Sequence, residues 1–301
     1  INKLSDSKKI GNSVLSFGNF DGIHLGHQKI ISKVKELSKT NSIPSVILSF
    51  NPHTSFILNE GDFKTLINHE EKINILKSFD IDYYGEIEFN LEFSKLSADD
   101  FMSLIITKYN PSYMVFGYDN YFGYKKSGSF KFVNNNIKYN HIKCIEIDEL
   151  QYQSNHIKSS ELKKLIKNDN VNVANKYLYE NYKIYGNVIR GNEIGRHLGF
   201  PTANINVNKE QIIPSNGVYD VNLIVGNKIY KSVCNIGLAP TLQHKNDITV
   251  EVHIIDKIIN LYNINVEIEF NSYIRSEKTF KNKYELIKQI KKDIETVKTK
   301  G

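Results

Sequence analysis

The apolar pattern of this chain changes period once, near residue 180, and that change limits the folds open to it. Ahead of it, short apolar strands alternate with amphipathic helices. Ser13 to Phe17 is a strand, followed by a glycine-bearing turn and by Ile30, Ile31, Val34 and Leu37 at helical spacing. A strand at Ser45 to Phe50, a helix around Glu70 to Phe79, a helix opened by Ser97 with Asp100 three residues on, and a strand at Tyr113 to Gly117 continue the alternation. This predicts an α/β doubly wound, Rossmann-like parallel sheet with ligands at the carboxyl ends of its strands. After a helical stretch from Ser160 to Tyr179, the signals become short strands at Lys183 to Ile189, Gly217 to Val225, Lys228 to Asn235, Thr249 to Ile255 and Asn265 to Tyr273. They predict an antiparallel β-barrel or sandwich. A last helix at Lys281 to Lys298, with Leu286, Ile290, Ile294 and Val297 on one face, can pack across it. Two domains are therefore expected, 1–180 and 181–301.

The net charge of +6 is spread along the chain rather than gathered in one block, which argues against a nucleic acid partner. No apolar run is long enough for a membrane-spanning helix, and no basic segment with an apolar stretch opens the chain, so a soluble, cytoplasmic protein is expected. Cys144 and Cys234, isolated in opposite halves, predict neither a disulfide framework nor a metal spacing. Of 39 basic residues only Arg190, Arg196 and Arg275 are arginine, so each is expected where a planar, bidentate donor is needed.

Two strings carry candidate chemistry. Gly18-Asn-Phe-Asp-Gly-Ile-His24-Leu-Gly26-His27 stands between the first strand and the first helix. Its glycines admit close backbone approach, and the helix start offers unpaired N–H groups and a positive dipole end to phosphate. His24 and His27 can donate to phosphate oxygens there and stabilise a leaving pyrophosphate, although a lone His pair is more often structural. In the second half, Gly186 to Asn204 places Gly191, Gly195 and Gly199 ahead of Pro201-Thr202-Ala-Asn204. A loop of this kind can wrap a phosphate chain and then offer two neutral oxygens, the hard donors that Mg²⁺ prefers.

The first string resembles the nucleotidyltransferase signature of the prokaryotic bifunctional riboflavin kinase and FAD synthetase family, in which an H-x-G-H element holds ATP. Phe50-Asn-Pro-His53, Leu96 to Phe101 and Phe116 to Gly123 repeat further family motifs in order. The resemblance implies catalytic roles for His24 and His27, and nucleotide or flavin contacts from Gly18, Phe20, Asp21, Gly26, Gly117, Asp119, Ser159 and Ser160. Core or rim packing is the preferred reading of Tyr121 and Phe122 over flavin stacking.

The second string is similar to the family's riboflavin kinase signature. Asn216 to Tyr219, Asn235 to Thr241, Val250 to Asp256 and Tyr273 to Glu277 extend the resemblance nearly to the last helix. It implies that Gly191, Gly195, Arg196, Pro201, Thr202, Asn204 and Arg275 serve the nucleotide, that Thr202 and Asn204 ligate Mg²⁺, and that Glu251 is the catalytic base. His253 is read as a structural hydrogen-bonding histidine. The implied substrates are riboflavin, FMN and ATP, converted first to FMN and then to FAD. Three positions depart from the pattern: Glu161 where the family carries an arginine, Asn120 where an aromatic is common, and Asn263 in place of a turn glycine. Two rival readings stay open, a kinase with a weakened N-terminal domain and a non-enzymatic regulator binding flavin or nucleic acid.

Overall fold

A computed structural model describes residues 2–3, 9–59, 63–152, 155–191, 194–238 and 248–299. The chain divides into two compact units between Ser159 and Ser160, ahead of the change of period at 180. Residues 160–179 group with the second unit, where the Asn175 side chain donates to the Phe270 carbonyl at 2.7 Å and accepts from Tyr182 N at 2.8 Å. Thr241, in one of the quoted motifs, lies outside the described residues.

The first unit runs β1 (Asn2–Lys3), β2 (Ser13–Gly18), α1 (Leu25–Asn41), β3 (Ser45–Asn51), α2 (Thr54–Leu58), α3 (His69–Ser78), β4 (Tyr83–Glu88), α4 (Ala98–Tyr109), β5 (Pro111–Gly117), α5 (Phe130–Asn134), β6 (Lys143–Ile147), β7 (Gln151–Tyr152) and β8 (Asn155–His156). Among the described residues β1 to β6 form one parallel sheet in the order β1-β4-β3-β2-β5-β6. The order reverses direction at β2, so the crevice between the carboxyl ends of β2 and β5 is the expected ligand position. Apolar runs on β2 and β3 are buried on both faces, as a helix-covered parallel sheet requires. Phe17 anchors one face, with Phe101, Phe116 and Phe122 ring centroids 5.0, 5.8 and 5.5 Å away. Phe122 is thus core, as expected, while Tyr121 is exposed. Ser97 caps α4 by accepting from Asp100 N at 3.1 Å.

The second unit holds α6 (Ser159–Lys167), whose first residue closes the first unit, then α7 (Val171–Asn175), β9 (Lys183–Ile189), α8 (Ile194–His197), β10 (Ala203–Val207), β11 (Gly217–Val225), β12 (Lys228–Leu238), β13 (Ile248–Ile254), β14 (Asn265–Arg275) and α9 (Lys283–Thr299). The helical stretch expected from Ser160 to Tyr179 consists of two helices, with Asp169 between them at φ +62 in a polar Asn-Asp-Asn step. The strands β9 to β14 close an antiparallel barrel in the order β10-β13-β12-β11-β14-β9. Closure resolves the barrel-or-sandwich alternative and leaves no free sheet edge. Asn263 adopts φ +61, so its turn survives without glycine.

Candidate functional site

The β2–α1 turn is built from backbone conformations that side chains seldom take: φ is +50 at Phe20, +83 at Gly22 and +36 at Ile23. Such strain persists only where surrounding contacts over-determine it. The Asp21 carboxylate accepts from Leu66 N at 2.7 Å, and the Ser159 hydroxyl donates to the Asp21 carbonyl at 2.9 Å. Asn19 exchanges hydrogen bonds with Thr54 at 2.9 and 3.1 Å. Asn120 donates to the Phe17 carbonyl at 2.8 Å, so the residue standing where an aromatic is common ties β5's exit to β2.

His24 occupies the N-cap position of α1 without a side-chain capping bond, and its ring stacks on that of His27 with centroids 3.8 Å apart. Gly26 lies close beneath the pair: a Cβ there would stand 3.1 Å from His24 Cε1 and 3.2 Å from its Nδ1, so a side chain would press on that ring. Phe20 is buried and meets His27 edge-on at 5.3 Å, which makes it a wall for the histidine. Nδ1 of each histidine is buried without a hydrogen-bond partner among the described residues. Burial lowers His24 to about 4 against the opposing pull of Asp21. His27 lies well below its ordinary value, through burial first and then the charges of His24, Lys72 and His53. At neutral pH both rings are therefore neutral and have hydrogen-bonding capacity unused. Gly117 abuts Ile30 of α1, whereas Asp119 and Ser160 are exposed. Glu161 pairs with Lys164 at 2.8 Å in the first turns of α6.

Lys72 escaped the sequence reading because it sits among charged neighbours in His69-Glu-Glu-Lys. It is only 8% exposed, and its ammonium donates to the Asn19 carbonyl at 2.9 Å and to Ser49 Oγ at 3.0 Å. The available signal is helical spacing: Lys72 shares the buried face of α3 with Ile75 and Leu76.

In the barrel, β10 and β13 pair with Asn204 opposite Glu251, and β12 adds Asn235 on the other side of Glu251. Opposed residues share a sheet face, so these three form one polar row. Val250 and Val252 are buried on the opposite face. Burial raises the Glu251 carboxyl above the usual range, and a hydrogen bond from Thr202 partly opposes the rise. A Cβ on Gly191 would fall on the Asn204 amide, and one on Gly195 would strike the Phe200 carbonyl and stand 3.2 Å from Thr202 Oγ1. The glycines of the loop thus clear space for Thr202 and Asn204. Two neutral oxygens of this kind, beside loop glycines that leave them room, fit a hard, mostly phosphate- and water-ligated cation.

Arg196, Gly199, Pro201 and Thr202 line a cavity of about 400 Å³ together with Ile258, Ile259 and Tyr262. His253 bonds the Pro201 carbonyl through Nδ1 at 2.8 Å, the structural role expected of it. Arg275 ends β14 and holds α9: Nε and Nη2 donate to Asp293 at 3.0 and 2.7 Å, and Nη1 donates to the Ser276 carbonyl at 2.8 Å.

A FAD synthetase family model matches residues 6–161, and a riboflavin kinase family model matches residues 178–300. The bifunctional riboflavin kinase/FMN adenylyltransferases of Buchnera aphidicola subsp. Schizaphis graminum and Bacillus subtilis are 39% and 35% identical to the chain. The alignments cover 99% and 93% of it and 97% and 90% of the relatives. A crystal structure of a Streptococcus pneumoniae protein, described as a macrolide-efflux protein, superposes with a TM-score of 0.90 at 26% identity over 99% of this chain and 98% of that one. Among the described residues here, no helix is long and apolar enough to cross a membrane. With matches to both halves and relatives aligned over nearly its whole length, the chain belongs to the bifunctional riboflavin kinase/FMN adenylyltransferase family.

Proposed function

We propose that the chain phosphorylates riboflavin to FMN with ATP and then adenylylates FMN to FAD with a second ATP. The observation that carries the kinase step is the meeting of Thr202, Asn204 and Glu251 on one face of the barrel. The Glu251 carboxylate accepts the proton of the ribityl 5′-hydroxyl as that oxygen attacks the γ-phosphorus in line, and ADP leaves. A base whose pKa is raised by burial holds that proton better than an ordinary glutamate. Thr202 and Asn204 would hold Mg²⁺, which when bound neutralises phosphate charge. We assign Arg196, which lines the cavity, to nucleotide phosphate, since its planar guanidinium suits bidentate phosphate contact.

In the first unit, an FMN phosphate oxygen attacks the α-phosphorus of ATP and pyrophosphate leaves. The neutral His24 and His27 donate hydrogen bonds to the oxygens on which charge develops. The start of α1 adds backbone N–H groups and its dipole. FMN is thus the product of one unit and the substrate of the other.

The test is chromatography of the flavins formed from riboflavin, ATP and Mg²⁺, with FMN and FAD appearing in that order. Failure to form either flavin, together with polynucleotide binding that weakens steeply with salt, would establish the regulator reading instead.

A further inference from the structure

The β2–α1 turn rests on a buried cation. Lys72 reaches from the first turns of α3 under the turn, where its ammonium has two neutral acceptors, the Asn19 carbonyl at 2.9 Å and Ser49 Oγ at 3.0 Å. Desolvation lowers its pKa, and the charges of Asp21 and Glu86 act against that loss. A cation is expensive to bury without a full ion pair, so its retention here calls for a use. Three segments at the carboxyl edge of the sheet converge on it: the turn through Asn19, the end of β3 through Ser49, and its own helix.

We propose that Lys72 is a positioning residue of the adenylyl-transfer site, holding the β2–α1 turn from beneath through the Asn19 carbonyl and setting a fixed positive charge under the His24–His27 pair. This rests on reading that site as the adenylyl-transfer centre. Asn19 precedes the residues in the left-handed region, so a rotation of its peptide is carried into Phe20, Gly22 and Ile23. The charge acts on His27 together with His24 and His53, while Asp21 acts on His24. Removing the ammonium takes one positive neighbour from His27, so its protonation moves to higher pH and the acid limb of FAD formation follows. An arginine-free first unit makes the fixed cation more consequential, since no guanidinium is present in residues 1–189 to replace it.

The test compares Lys72→Met, Lys72→Gln and Lys72→Arg in the full chain, with riboflavin phosphorylation as the reference for enzyme concentration and cooperative thermal unfolding as the check on folding of the first unit. Expected for Met and Gln are a fall of about 10²-fold in kcat for FMN adenylylation, of the size a small misplacement causes, and an upward shift of its acid limb. Arginine, which keeps the charge, restores the acid limb even where kcat stays low. The His27 imidazole titration, followed by NMR, supplies a readout apart from turnover and moves up in Met and Gln alone. Unchanged kcat, or a His27 titration and acid limb that stay in place in whichever charge-removing variant folds, overturns the proposal. His27→Asn separates the two failures: if it leaves FAD formation intact, the reading of the site itself falls, whatever Lys72 does.

Discussion

Gly191 and Asn204 occupy adjoining space so closely that a Cβ on the glycine would fall on the asparagine's side-chain amide. Gly191→Ala must therefore displace Asn204, whose oxygen is read as a metal ligand. Riboflavin phosphorylation is expected to fall about 10²-fold and its Mg²⁺ requirement to rise, while adenylylation of supplied FMN keeps its rate. A Mg²⁺ titration of both steps checks this; an unmoved kinase midpoint removes Asn204 from the metal.

Glu251→Gln keeps size and hydrogen bonding but cannot take a proton. FMN formation should drop by roughly 10²- to 10⁴-fold with riboflavin binding retained, as read by flavin fluorescence quenching. Near-normal turnover would show that Glu251 is not the base.

The histidine pair links folding to pH. His24 titrates at about 4 in the folded chain against 6.5 for the unfolded one, so between these values the unfolded state binds protons that the folded state refuses. Stability is full above about pH 6.5 and is lost as pH falls toward 4, by up to about 3 kcal/mol for this one group. Thermal unfolding at pH 7 and pH 4.5 should show a larger acid loss in the natural chain than in His24→Asn. Equal losses would mean the ring is not held neutral by burial.

How much of this was legible beforehand follows from which physical signal each residue emits. Period and glycine position announce the strand–turn–helix at 13–41 and the barrel strands, because alternation is local. β10 was hidden, since Pro201-Thr-Ala-Asn204 reads as loop and its pairing with Glu251 depends on strands distant in sequence. The break at Asp169 was harder to read, because the polar Asn-Asp-Asn step permits a left-handed φ without dictating it and the Ser215 hydroxyl that donates to the Asp169 carboxylate lies 46 residues away. The Arg275–Asp293 pair was hidden too, because a guanidinium suits phosphate and carboxylate alike and Asp293 lies 18 residues on in sequence.

That pair makes its own prediction. Arg275 and Asp293 are both largely buried, and Gln289 donates a further bond to Asp293 at 2.8 Å. Asp293→Ala leaves the guanidinium unpaired and should destabilise the second unit by about 3 to 5 kcal/mol in denaturant unfolding. Arg275→Met with Asp293→Leu, which removes both charges, should regain most of it. If the single and double variants unfold alike, the pair is not what joins α9 to β14.

Residues 1–189 contain no arginine, and Glu161 stands where the family pattern carries one. Here that glutamate pairs with Lys164 on an exposed helix face, an interaction worth no more than about 1 kcal/mol, so replacing it should leave folding intact. Ser159, the last residue of the first unit, donates to the Asp21 carbonyl within that unit. One missing charge-assisted contact to developing phosphate charge is worth about 2 to 4 kcal/mol, or roughly 30- to 1,000-fold in rate. FMN should accordingly accumulate when riboflavin, ATP and Mg²⁺ are supplied together, and Glu161→Arg should speed adenylyl transfer while leaving the kinase step unchanged. Timed chromatography of both flavins decides it: FAD formed as fast as FMN by the unmodified chain, or slowed by Glu161→Arg, would mean that lysines have rebuilt the phosphate contact.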